Sequence, residues 1–144
     1  MHALHLLKLK HLELIGVSIS KSDLERPLGG CTMLKYLRLQ MMFGFSSLHI
    51  AMTNLRTIYV HGWCRNMLSV GEFHDMVIEN APFLERLFVL DKEGRTRIRV
   101  IDAPKLTVLG YSCAEFSELV TARSIPVQVQ QSSSHSYYCT PHFT

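Results

Sequence analysis

Two pairs of side chains in this chain have metal-ligand chemistry. "HGWC" sets His61 three positions before Cys64, and "CTPH" sets Cys139 three positions before His142. Four nitrogen and sulfur ligands would suffice for a tetrahedral zinc site. The pairs lie 75 residues apart, one inside a periodic segment and one in a polar terminus, and neither has a second signature residue nearby. No metal and no other cofactor is expected. Glu72, His74 and Asp75 group two carboxylates around an imidazole, but they fall in the first turns of a predicted helix, where acids favour the N-terminal dipole without any chemistry. Neither a G-x-x-x-x-G-K-[ST] nor a G-x-G-x-x-G loop is present. No catalytic residue is assigned, and an enzyme is not expected.

The elements that would position any site follow from a recurring line. "LKHLEL" at Leu9, "LKYLRL" at Leu34, "LRTIYV" at Leu55, "LERLFV" at Leu84 and "LTVLGY" at Leu106 all read L-x-x-[LI]-x-[LVY], at separations of 25, 21, 29 and 22 residues. Repeats of roughly 20 to 29 residues with this pattern are the mark of a leucine-rich-repeat solenoid. Alternate residues of a strand share a face, so Leu12 and Leu14, Leu37 and Leu39, Ile58 and Val60, and Leu87 and Val89 are expected inside. One such strand cannot bury its apolar row alone; stacked parallel strands can. The predicted fold is therefore α/β, a solenoid of about five repeats over residues 1–120. Its concave face is a parallel sheet, and its convex face carries short helices and turns.

Returning segments give weaker signals. "CTML", "MTNL", "APFL" and "APKL" precede four anchor leucines with small or turn-forming residues that lead the chain out of a turn and into a strand. "SVGEFHDMVIEN" predicts a helix from about Val70 to Asn80, from the Ser69 and Glu72 spacing and the stripe of Phe73, Met76 and Val77. "SKSDLERPLGGC" has a similar start at Ser20 and Asp23, but Pro27, Gly29 and Gly30 predict only a short helix or 3₁₀ turn. "SCAEFSELV" offers a third cap at Ser112 and Glu115, with Phe116, Leu119 and Val120 inward. "GRTRIRVI" alternates Arg95, Arg97 and Arg99 with Thr96, Ile98 and Val100, a period of two that predicts a strand with one basic face guarding against false pairing. Residues 121–144 lose the periodicity and read as a flexible tail.

Composition sets outer limits. Hydrophobic residues make up 47% and charged residues 19% of 144, so the chain should fold. A net charge of +3 does not by itself suggest nucleic acid, and no opening segment is apolar enough to span a membrane. Cys31, Cys64, Cys113 and Cys139 are scattered singly, which fits reduced thiols in cytoplasm or nucleus. Cys31 is expected to pack as a small apolar residue at a coil corner.

"LKHLELIGVSI", "IENAPFLERLFVLD" and "IRVIDAPKLTVLGY" resemble the leucine-rich-repeat region of plant F-box proteins, especially the grass-type set that joins an F-box, repeats and a C-terminal FBD segment. The resemblance covers about Leu4 to Val120. It implies the substrate-recognition half of a ubiquitin-ligase receptor, in which an F-box would dock on the adaptor of a cullin-RING ligase and the repeats would hold the protein to be ubiquitinated. The first repeat starts within ten residues of Met1 and no FBD-like segment follows Val120, so a truncated product without direct adaptor contact is expected. Alternatives are a remnant without selected activity and a metal-binding enzyme using the scattered His and Cys.

The expected partner is an unidentified protein, with neither nucleic acid nor membrane involved. Residues between the buried rows point outward on the concave sheet. Among them Tyr36, Arg38, Thr57, Tyr59, His61, Arg86 and Phe88 form the predicted binding face, because Tyr and Arg most often anchor interfaces.

Overall fold

A computed structural model describes residues 7–61, 75–90, 97–112, 115–120 and 128–131, with side chains as far as Gly110. Along the chain run β1 (His11–Ile15), α1 (Lys21–Gly30), β2 (Tyr36–Gln40), β3 (Ser47–Ile50), β4 (Thr57–His61), β5 (Asp75–Glu79), β6 (Arg86–Leu90), β7 (Arg97–Ile101), β8 (Val108–Ser112), β9 (Glu115–Val120) and β10 (Gln128–Gln131). From β2 onward the chain alternates between two parallel sheets. The front sheet has the order β1-β2-β4-β6-β8-β10, and the back sheet the order β3-β5-β7-β9. The molecule is a parallel-strand solenoid with one helix among the described residues.

The leucine register holds from rung to rung. Leu12 pairs with Leu37, Leu37 with Ile58, Ile58 with Leu87 and Leu87 with Leu109. Leu37, Ile58 and Leu87 are fully buried, and so are the anchors Leu34, Leu55, Leu84 and Leu106. Each such side chain removed from water is worth roughly 1.5 to 3 kcal/mol. No strand has a buried face until its neighbour is stacked on it, so this energy belongs to the stack. On β1, which among the described residues pairs only with β2, Leu12 and Leu14 are half-buried against the core, as is Leu9 just before it. Leu4 and Leu6 lie outside the described residues.

The back of the solenoid departs from expectation. Asp75–Glu79, expected in a helix over 70–80, is strand β5, paired on both sides by β3 and β7; residues 70–74 lie outside the described residues. Its burial alternates, with Met76 and Ile78 inside and Asp75, Val77 and Glu79 half-exposed. The helical stripe and the period of two compete in this short run. Val77 and Ile78 are β-branched, and two neighbouring strands supply hydrogen bonds to both edges, so the strand prevails. The segment after Ser112 likewise forms β9 instead of a capped helix, where the edge of β7 offers it backbone hydrogen bonds; its side chains are not among those described. A sheet therefore occupies the side expected to hold helices and turns.

Arg97–Ile101 is the expected strand, with Ile98 and Val100 buried and Arg97 and Arg99 exposed. It sits between β5 and β9, however, so its arginines guard no edge. Arg95 and Lys92 lie outside the described residues. Gln128–Gln131, expected in the tail, adds β10 to the front sheet beside β8.

Helix α1 takes the back position of the first coil and is longer than its Pro and Gly content suggested. Ser20 caps it by accepting the Asp23 N–H at 3.2 Å, and Leu24 and Leu28 fasten it to the core. Tertiary burial offsets the missing N–H of Pro27.

The recurring Ala-Pro has a geometric role. Asn80 and Asp102 end back strands with φ of 51° and 58°, a left-handed turn that Asn and Asp tolerate better than most residues. Ala81 and Ala103 follow, both fully buried, and their carbonyls accept the N–H of Leu84 and Leu106. Cys31 occupies the equivalent corner before Leu34 and is buried, as expected of a small apolar residue. Burial pushes its thiol up from the ordinary range, and its Sγ donates to the Pro27 carbonyl at 3.2 Å. Gly44, with φ of 93°, lets the chain pass Ile19, whose carbonyl oxygen would lie 2.5 Å from any added Cβ.

Candidate functional site

Strand pairing arranges the outward residues of the front sheet in columns. One column runs His11, Tyr36, Thr57, Arg86 and Val108; the next runs Glu13, Arg38, Tyr59, Phe88 and Gly110; the third begins with Ile15, Gln40, His61 and Leu90. All seven predicted residues stand on this face. Accessibility divides them. Arg86 is exposed, and Tyr36, Arg38, Thr57 and Phe88 are half-buried, whereas Tyr59 and His61 are each 3% exposed and offer a partner no surface.

Neighbouring rungs hold one another's side chains. The His11 ring stacks on Tyr36 with centroids 4.2 Å apart and planes 11° from parallel. The Glu13 carboxylate lies 2.9 Å from His11 Nε2 and 4.0 Å from Arg38 Nη1. Arg38 places its guanidinium 4.9 Å from the centroid of the Tyr59 ring and donates to Gln40 Oε1 at 2.8 Å. A guanidinium held by a ring, an amide and a carboxylate is oriented before any partner arrives. Phe88 lies against Gly110, where an added Cβ would come within 2.7 Å of its ring. Gly110 therefore leaves the aromatic ring the space that a side chain on the next rung would take.

Two phenols report how dry this face is. Burial raises the Tyr59 pKa to about 12; Arg38 opposes the shift and Tyr36 adds to it. Tyr36 is also raised, again chiefly by burial, with Arg38 opposing and Glu13 adding. Both rings stay neutral near pH 7, so the face offers fixed apolar surface around the Arg38 charge.

Sequence reasoning passed over one row. The residue after each anchor leucine is Lys10, Lys35, Arg56, Glu85 and Thr107, and the backbone stacks them. Lys10 O accepts the N–H of Lys35 and Tyr36, Lys35 O those of Arg56 and Thr57, and Arg56 O those of Glu85 and Arg86, all at 2.9 to 3.1 Å. The second position of L-x-x-[LI] carries this signal in plain view. It goes unread when only the alternating positions are tracked.

Among the described residues, no three of His, Cys, Asp and Glu gather where they could share a metal ion. Cys64, His74, Cys139 and His142 lie outside them. No described helix is long and apolar enough to cross a membrane.

Leucine anchors in register, a continuous parallel sheet and an aromatic and charged outer face define a leucine-rich-repeat solenoid, of about three full turns between β3 and β9 where about five repeats were expected. The chain belongs to the family described as FBD-associated F-box protein At5g56370, LRR repeats, whose model matches residues 1–138. No curated protein and no solved structure matches it.

Proposed function

We propose that this chain is a protein-interaction module that holds a protein partner on the front sheet, in the manner of the substrate-recognition half of an F-box ubiquitin-ligase receptor. It acts by binding and not by catalysis. The resemblance assigns adaptor contact to an F-box and recognition to the repeats. The observation that carries the reading is the in-register face of Tyr36, Arg38, Thr57, Arg86 and Phe88, on which Tyr36, Arg38 and Phe88 are held by their neighbours and Arg86 is exposed. Such preorganised rings and guanidinia make interface anchors because little side-chain freedom remains to be lost.

Site-specific photocrosslinking tests the reading. A crosslinker at Thr57 or Arg86 should trap one discrete partner, and Tyr36→Ala combined with Phe88→Ala should abolish the product. A crosslinker at Val77 or Arg99 on the back sheet should trap none. Equal capture from both sheets, or indifference to the double substitution, would overturn it.

A further inference from the structure

Cations are distributed unequally over the two sheets. On the back, Arg97 Nε lies 3.2 Å from Asp75 Oδ1, His49 Nε2 lies 2.9 Å from Glu79 Oε2, and Lys21 of α1 lies 3.9 Å from Glu25, leaving Arg99 on the sheet and Arg26 on the helix, which are not stacked on successive rungs. On the front, Lys10, Lys35 and Arg56 stack at the strand entries with Arg86 beside the next rung. All four are exposed, and none has a carboxylate partner among the described residues. Rungs about 4.8 Å apart place these four charges along roughly 14 Å, inside two screening lengths. Stacked like charges repel one another. Glu85 continues the row on the rung after Arg56, but no acidic side chain of the described residues forms an ion pair with any of the four.

We infer that this row receives an acidic, extended segment of the protein partner, laid along the entry edge of the front sheet. The inference rests on the reading of that sheet as the partner face and adds the chemistry of what it holds. The length of the row suits roughly four extended residues. Single-stranded nucleic acid would also answer the charge, but it binds by stacking bases on open rings. Here the rings form no open series: one face of Tyr36 is taken by His11, Tyr59 is buried beside Arg38, and one side of Phe88 lies against Gly110. A carboxylate-rich peptide needs only the charges, and Tyr36 and Phe88 remain beside the row for apolar contact.

The test uses the full chain and three fluorescent probes: a glutamate-rich peptide with two aliphatic residues, its glutamine counterpart, and a thymidine oligonucleotide. The acidic peptide should bind at about 50 mM salt and weaken at least about tenfold by about 200 mM, while the glutamine peptide should not bind. Lys35→Glu with Arg56→Glu should weaken binding about tenfold or more, whereas Arg99→Glu should change it less than about twofold. An unchanged unfolding midpoint of each variant confirms that the solenoid is intact. Equal effects of the front and back variants, equal affinity for both peptides, no binding of the acidic peptide, or tighter binding of the oligonucleotide would overturn the inference. If the photocrosslinked partner depends on Tyr36 and Phe88 but ignores Lys35→Glu and Arg56→Glu, the binding face stands and the acidic partner falls. If the charge variants matter and the aromatic ones do not, the acidic segment stands on the entry edge of the front sheet and the aromatic anchors fall.

Discussion

On the back sheet Arg97 finds Asp75 one strand away, and His49 reaches Glu79; on the front sheet Lys35 and Arg56 occupy successive rungs with no carboxylate of the described residues paired to them. Inside, the sheets are alike. Met76, Ile98, Leu48, Leu87 and Ile58 are all fully buried in one hydrophobic cluster. Parallel pairing dictates what lies inside and leaves the outer rows free to vary. One outer face pairs most of its cations across strands, and the other keeps aromatic rings beside a row of cations with no ion pair among the described residues. The contrast teaches that in a solenoid stability and recognition are written in alternate positions of the same strand.

The strongest way to break this comparison is to ask whether the sheets share a core. Leu87→Ala at the front and Ile98→Ala at the back should each lower stability by about 2 to 5 kcal/mol in urea unfolding, within a single transition. Two separable transitions would show that the sheets fold independently. Leu12→Ala, on half-buried β1, should cost visibly less.

Alkaline titration sharpens the contrast from the front. Tyr59 holds its proton to about pH 12 when folded, against an ordinary value of 10.0. The unfolded chain therefore releases the proton first as pH rises. The stabilising contribution is complete below about pH 10 and is lost toward about pH 12, amounting to about 3 kcal/mol at most. Unfolding followed by circular dichroism should show this decline, and Tyr59→Phe should flatten its share of it. An unaltered profile would mean that the phenol is solvated.

At the corners, Asn80→Ala and Asp102→Ala should each cost about 1 kcal/mol, whereas Asn80→Gly should be neutral or slightly stabilising. Thermal melts of the three variants measure this, and equal losses for Ala and Gly would reject left-handed backbone as the reason for Asn-Ala-Pro. The smallest effect belongs to the ion pair of the back face. Asp75→Asn should lower stability by less than about 1 kcal/mol, and the difference should shrink in high salt, because the Arg97 side chain is 58% exposed.

Legibility followed the pattern of constraint. The anchors Leu34, Leu55, Leu84 and Leu106 and the column from Leu12 to Leu109 could be read directly, because aliphatic residues recur at a fixed spacing only where each copy must fill the same inward position. The back strands were harder. "DMVIE" satisfies a helical stripe and a strand alternation equally well over five residues, and only β3 and β7 on either side decide between them. On the front face the columns were legible, but the burial of Tyr59 and His61 was not, since outward in a strand does not mean exposed once neighbouring rungs pack over it.

The sequence alone therefore determined the repeat, its register and its corners, because apolar periodicity and left-handed turn residues act locally and recur from coil to coil. Only the tertiary structure decided that the back would be a sheet, which outward rings would be covered, and which cations would find partners. Those outcomes depend on side chains from different repeats being brought to adjacent rungs, and no single repeat contains that information.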